Sequence, residues 1–143
     1  MAIAETMHEP RLVQIPGDAA RRVAPLIRDR LASICERSGG SVTPESLLAQ
    51  VESGRWQLWV IDDGRAVAAV LITELMIQPS GRKTCAVVAL TGSDSLSWLH
   101  LLDDLDAWAR SEGCTHMQAM ARRGWARRMP QWKMTHVMLE RSL

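Results

Sequence analysis

The chain has no tyrosine and no phenylalanine among its 143 residues. That absence removes the phenolic hydroxyl from any acid–base chemistry the protein performs. It also leaves six tryptophans as the whole aromatic inventory. Cysteine is scarce: Cys35, Cys85 and Cys114 are odd in number and form no CxxC pair. This excludes a disulfide framework and a zinc site, and it fits free thiols in a reducing compartment. No apolar run reaches the roughly eighteen residues that a membrane span requires. The opening stretch MAIAETMHEP lacks a cationic start, an apolar centre and a small-residue cleavage site, so it does not read as a secretion signal. Residues 1–10 are expected to be a frayed terminus. The formal net charge is only +1, so no overall field selects nucleic acid or an acidic partner.

What is present is a globular pattern, 47% apolar and long enough for one hydrophobic core, so residues 11–143 are expected to form a single domain. RLVQIP reads as a first strand. Asp18 is placed to cap a helix with an apolar stripe at Val23, Leu26, Ile27, Leu31 and Ile34, interrupted or started by Pro25. Thr43 before Pro44 is an N-cap signal for a second helix, with Leu47, Leu48 and Val51 on its inner side. Asp63-Gly64 between two apolar runs predicts a hairpin, and KTCAVVALT predicts the next strand. These runs are apolar on both alternating faces, which calls for helices on both sides of the sheet. Trp98, Leu101, Leu102, Leu105 and Trp108 predict another helix, ending at Gly113. CTHMQAMA reads as a strand, RRGWARRM as a short helix and WKMTHVMLERSL as a last strand.

The resulting order, β-α-α-β-β-β-α-β-α-β, resembles the GNAT superfamily of acyl-CoA-dependent N-acyltransferases over almost the whole chain. Within it, ICERSGGSVTPESLLAQVESGRWQLWV, then LDAWARSEGC, then RRGWARRMP before the last strand, is similar to small GNAT-like proteins of tailed bacteriophages and prophages. The resemblance implies a single α/β domain with a central, mostly antiparallel mixed sheet and helices on both faces. It also sets requirements for an enzyme, and each can be compared with the residues present.

The superfamily holds a pyrophosphate on backbone N–H groups of a glycine-containing turn at a helix N-terminus. In this chain that junction is LTGSDSLSW. It offers only Gly92, has no adjacent basic residue, and places the Asp94 carboxylate where the pyrophosphate would lie. Helix capping by Ser93 or Asp94 accounts for the same residues. If acetyl-CoA binds, the N–H groups of Gly92, Ser93 and Ser95 are the candidates to hold it. The superfamily's usual acid, a tyrosine, is missing; Cys114 or a water is the substitute, although a cysteine at a strand start more often fills a small apolar site. Glu74, inside the apolar run VLITELMI, is the candidate base. The competing reading makes it a strand residue paired with an arginine such as Arg82.

Arg122, Arg123, Arg127, Arg128 and Lys133 interleave with Trp125 and Trp132, a combination that can hold phosphates by charge and bases by stacking. A solvated cationic helix beside Asp103, Asp104 and Asp106, in this molecule or a neighbour, accounts for them more simply, since charge runs usually decorate surfaces. The missing cradle and tyrosine favour a non-catalytic, phage-type GNAT-fold protein with no cofactor. It would work in the bacterial host cytoplasm or the virion through contacts with phage virion or assembly proteins, with DNA as a further partner for the basic helix. The alternative is an acyl-CoA-dependent N-acetyltransferase with an atypical cofactor loop, using acetyl-CoA.

Overall fold

Asp63 builds the turn that the sequence marks between two apolar runs. Its Oδ1 accepts hydrogen bonds from the backbone N–H groups of Arg65 (2.8 Å) and Ala66 (3.0 Å), which hold its carboxyl below the usual carboxylate range. Gly64 follows at φ +87°, a conformation that a side chain would oppose. The turn joins β2 (Trp56–Asp62) to β3 (Val67–Ile77), and the sheet grows outward from this pair. The computed structural model describes residues 9–93, 95–121 and 123–143.

Five strands lie in the spatial order β1-β2-β3-β4-β5, with β1 at Arg11–Ile15, β4 at Lys83–Gly92 and β5 at His116–Ala119. All neighbours are antiparallel except β4 and β5, which are parallel. A parallel pair needs a crossover. It is made by two 3₁₀ turns, Ser95–Ser97 and Leu99–Leu101, and α4 (Leu102–Ser111). Before β2, the chain forms α1 (Ala20–Val23), α2 (Arg28–Arg37) and α3 (Pro44–Glu52). A 3₁₀ turn containing Pro25 separates α1 from α2, so the proline breaks the predicted long helix. Asp18 lies inside the preceding 3₁₀ turn and makes no cap hydrogen bond. Thr43 caps α3 reciprocally with Ser46, the hydroxyl of each accepting the other's N–H.

Alternation along β2 and β3 divides the core. Leu58, Val60, Val70 and Ile72 face α2 and α3. Trp59, Ile61, Ala69 and Leu71 face Trp98, Leu101 and Leu105 on the other side. The expected α/β architecture with helices on both faces is therefore formed. Among the described residues, no helix is long and apolar enough to cross a membrane.

The expected last strand is not formed. After the short α5 (Gly124–Arg128), residues 133–143 have no regular structure and every one is exposed. A strand-like sequence pattern becomes a strand only when cross-strand pairing and burial support it, and none of the described strands pairs with this segment.

Candidate functional site

The site begins with an irregularity in β4. Ile72 of β3 pairs with Ala89 and Thr73 pairs with Val87, leaving Val88 as an extra residue on the β4 side. Such a bulge bends its strand and strengthens its twist. On the opposite edge, the pairing of β4 with β5 runs from Thr84–His116 to Val87–Ala119 and then stops. β4 continues to Gly92 with no described strand beside it on that edge. The pairing of the two parallel strands thus stops one residue short of the bulge. The edge from Val88 to Gly92 has no described strand beside it, the condition for an extended ligand to add strand-like hydrogen bonds there.

At the mouth of the split lies the turn after β4. Gly92 is required there by packing: a Cβ would come within 2.6 Å of Ala69 Cβ and 3.0 Å of both Ala68 O and Trp98 Cζ2. The Ser93 N–H donates to Ala68 O at 3.0 Å, and Ser93 O accepts the Trp98 indole N–H at 2.7 Å. The Ser93 N–H is therefore not free for a phosphate. Asp94 lies outside the described residues. The cationic element missing from the local sequence arrives instead from two distant helices. Arg30 of α2 donates to Ser93 Oγ at 3.0 Å and to Val67 O at 3.4 Å. Arg128 of α5 donates to Ser95 Oγ at 2.6 Å, with its guanidinium carbon 5.8 Å from the centre of the Trp125 ring. Two guanidinium groups flank a turn of hydroxyl-bearing residues, an arrangement suited to a phosphate anion.

Other predicted residues lie elsewhere. Glu74 is on β3 opposite Ala86, and its carboxylate faces β2, accepting from Arg55 Nε (3.2 Å) and the Trp56 indole N–H (3.3 Å). The competing reading, a strand carboxylate paired with an arginine, is met by Arg55; Arg82, the example expected, donates to Gln78. The split lies on the far side of β4. Cys114 is buried at the opposite end of β5 with Cys85 and Ala109, and burial raises its thiol pKa. From Cys114 to Ala119, where the pairing ends, is about 16 Å along an extended chain. Arg123, Arg127 and Lys133 are exposed, and Arg122 lies outside the described residues. Among the described residues, no ion pair links α5 to Asp103, Asp104 or Asp106.

Sequence reasoning missed Arg30. Its signal is a polar stripe, Arg30, Ser33 and Arg37 at i, i+3 and i+7, running beside the apolar stripe of α2.

No family model and no curated protein matches the sequence. Solved structures do match. An aminoglycoside acetyltransferase from an uncultured soil metagenomic sample, in complex with sisomicin, superposes with a TM-score of 0.70 at 13% identity, covering 94% of this chain and 96% of that one. The ribosomal-protein-alanine N-acetyltransferase of Brucella melitensis biovar Abortus 2308 gives 0.65 at 12% identity, over 94% and 98% of the two chains. A probable acetyltransferase gives 0.65 at 15% identity, over 93% and 96%. The chain has the GNAT fold. The GNAT architecture expected from the element order is thus present. The phage origin and virion role draw no support from these neighbours.

Proposed function

We propose that this GNAT-fold protein is an acyl-CoA-dependent N-acyltransferase that passes an acetyl group from acetyl-CoA to an amine. The observation that carries the reading is the end of the β4–β5 pairing one residue short of the Val88 bulge, beneath a turn flanked by Arg30 and Arg128. The residues suit the cofactor through side chains more than through a backbone cradle, since Gly92 serves packing and the Ser93 N–H is already used. Arg30, Arg128 and the Ser95 hydroxyl would hold the pyrophosphate, and the open edge of β4 would receive the amide-bearing arm. When bound, acetyl-CoA supplies an activated acetyl thioester.

The chain's own residues then do three things. Trp98 fixes the turn by packing under Gly92 and bonding Ser93 O. The backbone groups of Val88 to Gly92 on the edge away from β3 would orient an extended ligand there. The two arginines neutralise anionic charge without needing to reorganise. No tyrosine exists in the chain, and Cys114 is remote from the split, so water delivers a proton to the leaving sulfur in this reading.

Isothermal titration with acetyl-CoA and coenzyme A tests it directly. Micromolar binding that weakens in Arg128→Gln supports the proposal. Absence of heat at millimolar ligand, with the fold intact by circular dichroism, overturns it.

A further inference from the structure

An open groove of about 770 Å³ lies along α2 beside the ends of β3 and β4, on the sheet face away from α4. Arg28, Arg30 and Arg37 line it, and among the described residues Asp29 is the sole acidic one of the lining. Arg30, Ser33 and Arg37 project from one face of α2, and Ser33 Oγ lies 3.5 Å from Thr91 Oγ1, which sets this face over the end of β4. The groove therefore adjoins the split from the face opposite to the one where α4 packs. Its rim carries an apolar side chain, Leu26, 79% exposed.

The arginines of this groove differ from Arg21 and Arg55 in having no carboxylate partner among the described residues. Arg21 is bracketed by Glu45 at 2.7 Å and Glu52 at 2.8 Å, and Arg55 pairs with Glu74 at 3.2 Å. Among the described residues, Arg28 and Arg37 have no ion pair and no side-chain hydrogen bond, and Arg30 is bonded only to a hydroxyl and a carbonyl. Like charges gathered in one concavity repel one another and raise its affinity for an anion.

Resting on the acyltransferase reading, we propose that this groove is the acceptor site and selects an amine that also carries a carboxylate or phosphate. Arg28 and Arg37 bind the anionic group, and Arg30 marks the boundary with the cofactor turn through its bond to Ser93 Oγ. The same positive field serves the chemistry. An ammonium beside fixed guanidinium groups loses its proton more readily, so the amine is presented in its neutral, nucleophilic form. This acts without a carboxylate base facing the split.

The test uses matched probes: O-phosphoethanolamine against ethanolamine, and glycine against glycinamide, titrated into wild type and an Arg28→Gln/Arg37→Gln variant, each with and without coenzyme A. The expected result is that each probe bearing a phosphate or carboxylate binds wild type about tenfold tighter than its counterpart without that group, and that the variant erases this difference while acetyl-CoA affinity stays within about twofold. Equal affinities within each pair, or no binding of the anionic members, overturn the proposal. Titration with coenzyme A and 3′-dephospho-coenzyme A separates the other source of a phosphate. If the variant weakens only the former, the groove serves the cofactor and the proposal falls. Acetyl-CoA binding is read in the same experiment: arginine-dependent binding of phosphoethanolamine without any binding of acetyl-CoA retains the anion site and removes the acyltransferase reading.

Discussion

Arg128 and Ser95 stand 33 residues apart in sequence and are joined by a 2.6 Å hydrogen bond across the mouth of the β4–β5 split. The contact brings α5 to the turn that follows β4, and it gives the basic C-terminal helix a place in the site. Replacing Arg128 by glutamine keeps a donor near Ser95 and removes the charge. Acetyl-CoA affinity is expected to fall about tenfold, the scale of one charge-assisted hydrogen bond at a partly exposed position. The wild-type affinity should also weaken with added salt, and the variant should show a shallower salt dependence. Titration at two ionic strengths measures both.

Glu74 leads to the opposite expectation. Its two carboxylate oxygens are taken by Arg55 and the Trp56 indole, on the β2 side of β3. A glutamine there can still accept from the indole N–H and gives up only a partly exposed ion pair, worth about 0–1 kcal/mol. Glu74→Gln should keep turnover within about threefold of wild type and alter Tm little. A loss of about a hundredfold in kcat, with unchanged acetyl-CoA affinity, would restore Glu74 as the general base.

The fold was legible because its signals are local or periodic. Pro25 broke a helix, Thr43 capped one, Asp63-Gly64 turned a hairpin, and alternation along β2 and β3 placed helices on both faces. The site was less legible, since it is assembled by tertiary structure. Nothing near Gly92 in the sequence shows that Arg30, 63 residues away, reaches Ser93. Nor does the sequence show that the Ser93 N–H is already bonded to Ala68 O. The last strand failed for a related reason: apolar residues such as Met134 and Val137 to Leu139 suit a strand, but pairing has to come from elsewhere.

Gly92 gives a stability prediction. A methyl group at this position meets Ala69 Cβ at 2.6 Å and the Ala68 carbonyl at 3.0 Å, and neither is the end of a flexible side chain. Gly92→Ala should cost about 1–3 kcal/mol by overpacking, a drop of several degrees in Tm. Binding should suffer as well, because Trp98 supports the turn from the same contact. An unchanged melting temperature would show that β3 and the turn can separate without penalty.

Cys85 supplies a pH dependence. The thiol is fully buried, and burial, with smaller contributions from Cys114 and Asp106, pushes its pKa from the ordinary 9.0 up to about 12. The neutral thiol is thus favoured in the folded state. Its stabilising contribution is complete below about pH 9, where both folded and unfolded chains carry the proton, and is lost as pH rises from there toward 12. Native protein should resist alkylation at Cys85 by iodoacetamide at pH 8, while denatured protein reacts. A Cys85→Ala variant should show a flatter fall in Tm between pH 9 and 11. Rapid alkylation of Cys85 in the native state at pH 8 would contradict the buried placement.

The segment after Trp132 tests the sheet's outer boundary. Met134, Val137, Met138 and Leu139 are 56%, 67%, 71% and 90% exposed, and no described strand pairs with the segment. Side chains that bury little on folding stabilise little. Deleting residues 133–143 should therefore leave Tm within about 1 °C and denaturant sensitivity unchanged, because the slope of unfolding follows the surface exposed. The deletion should also improve solubility by removing a contiguous apolar surface. If Tm instead falls by several degrees and the slope decreases, the segment is docked in solution, and its apolar residues add a strand to the open side of β5.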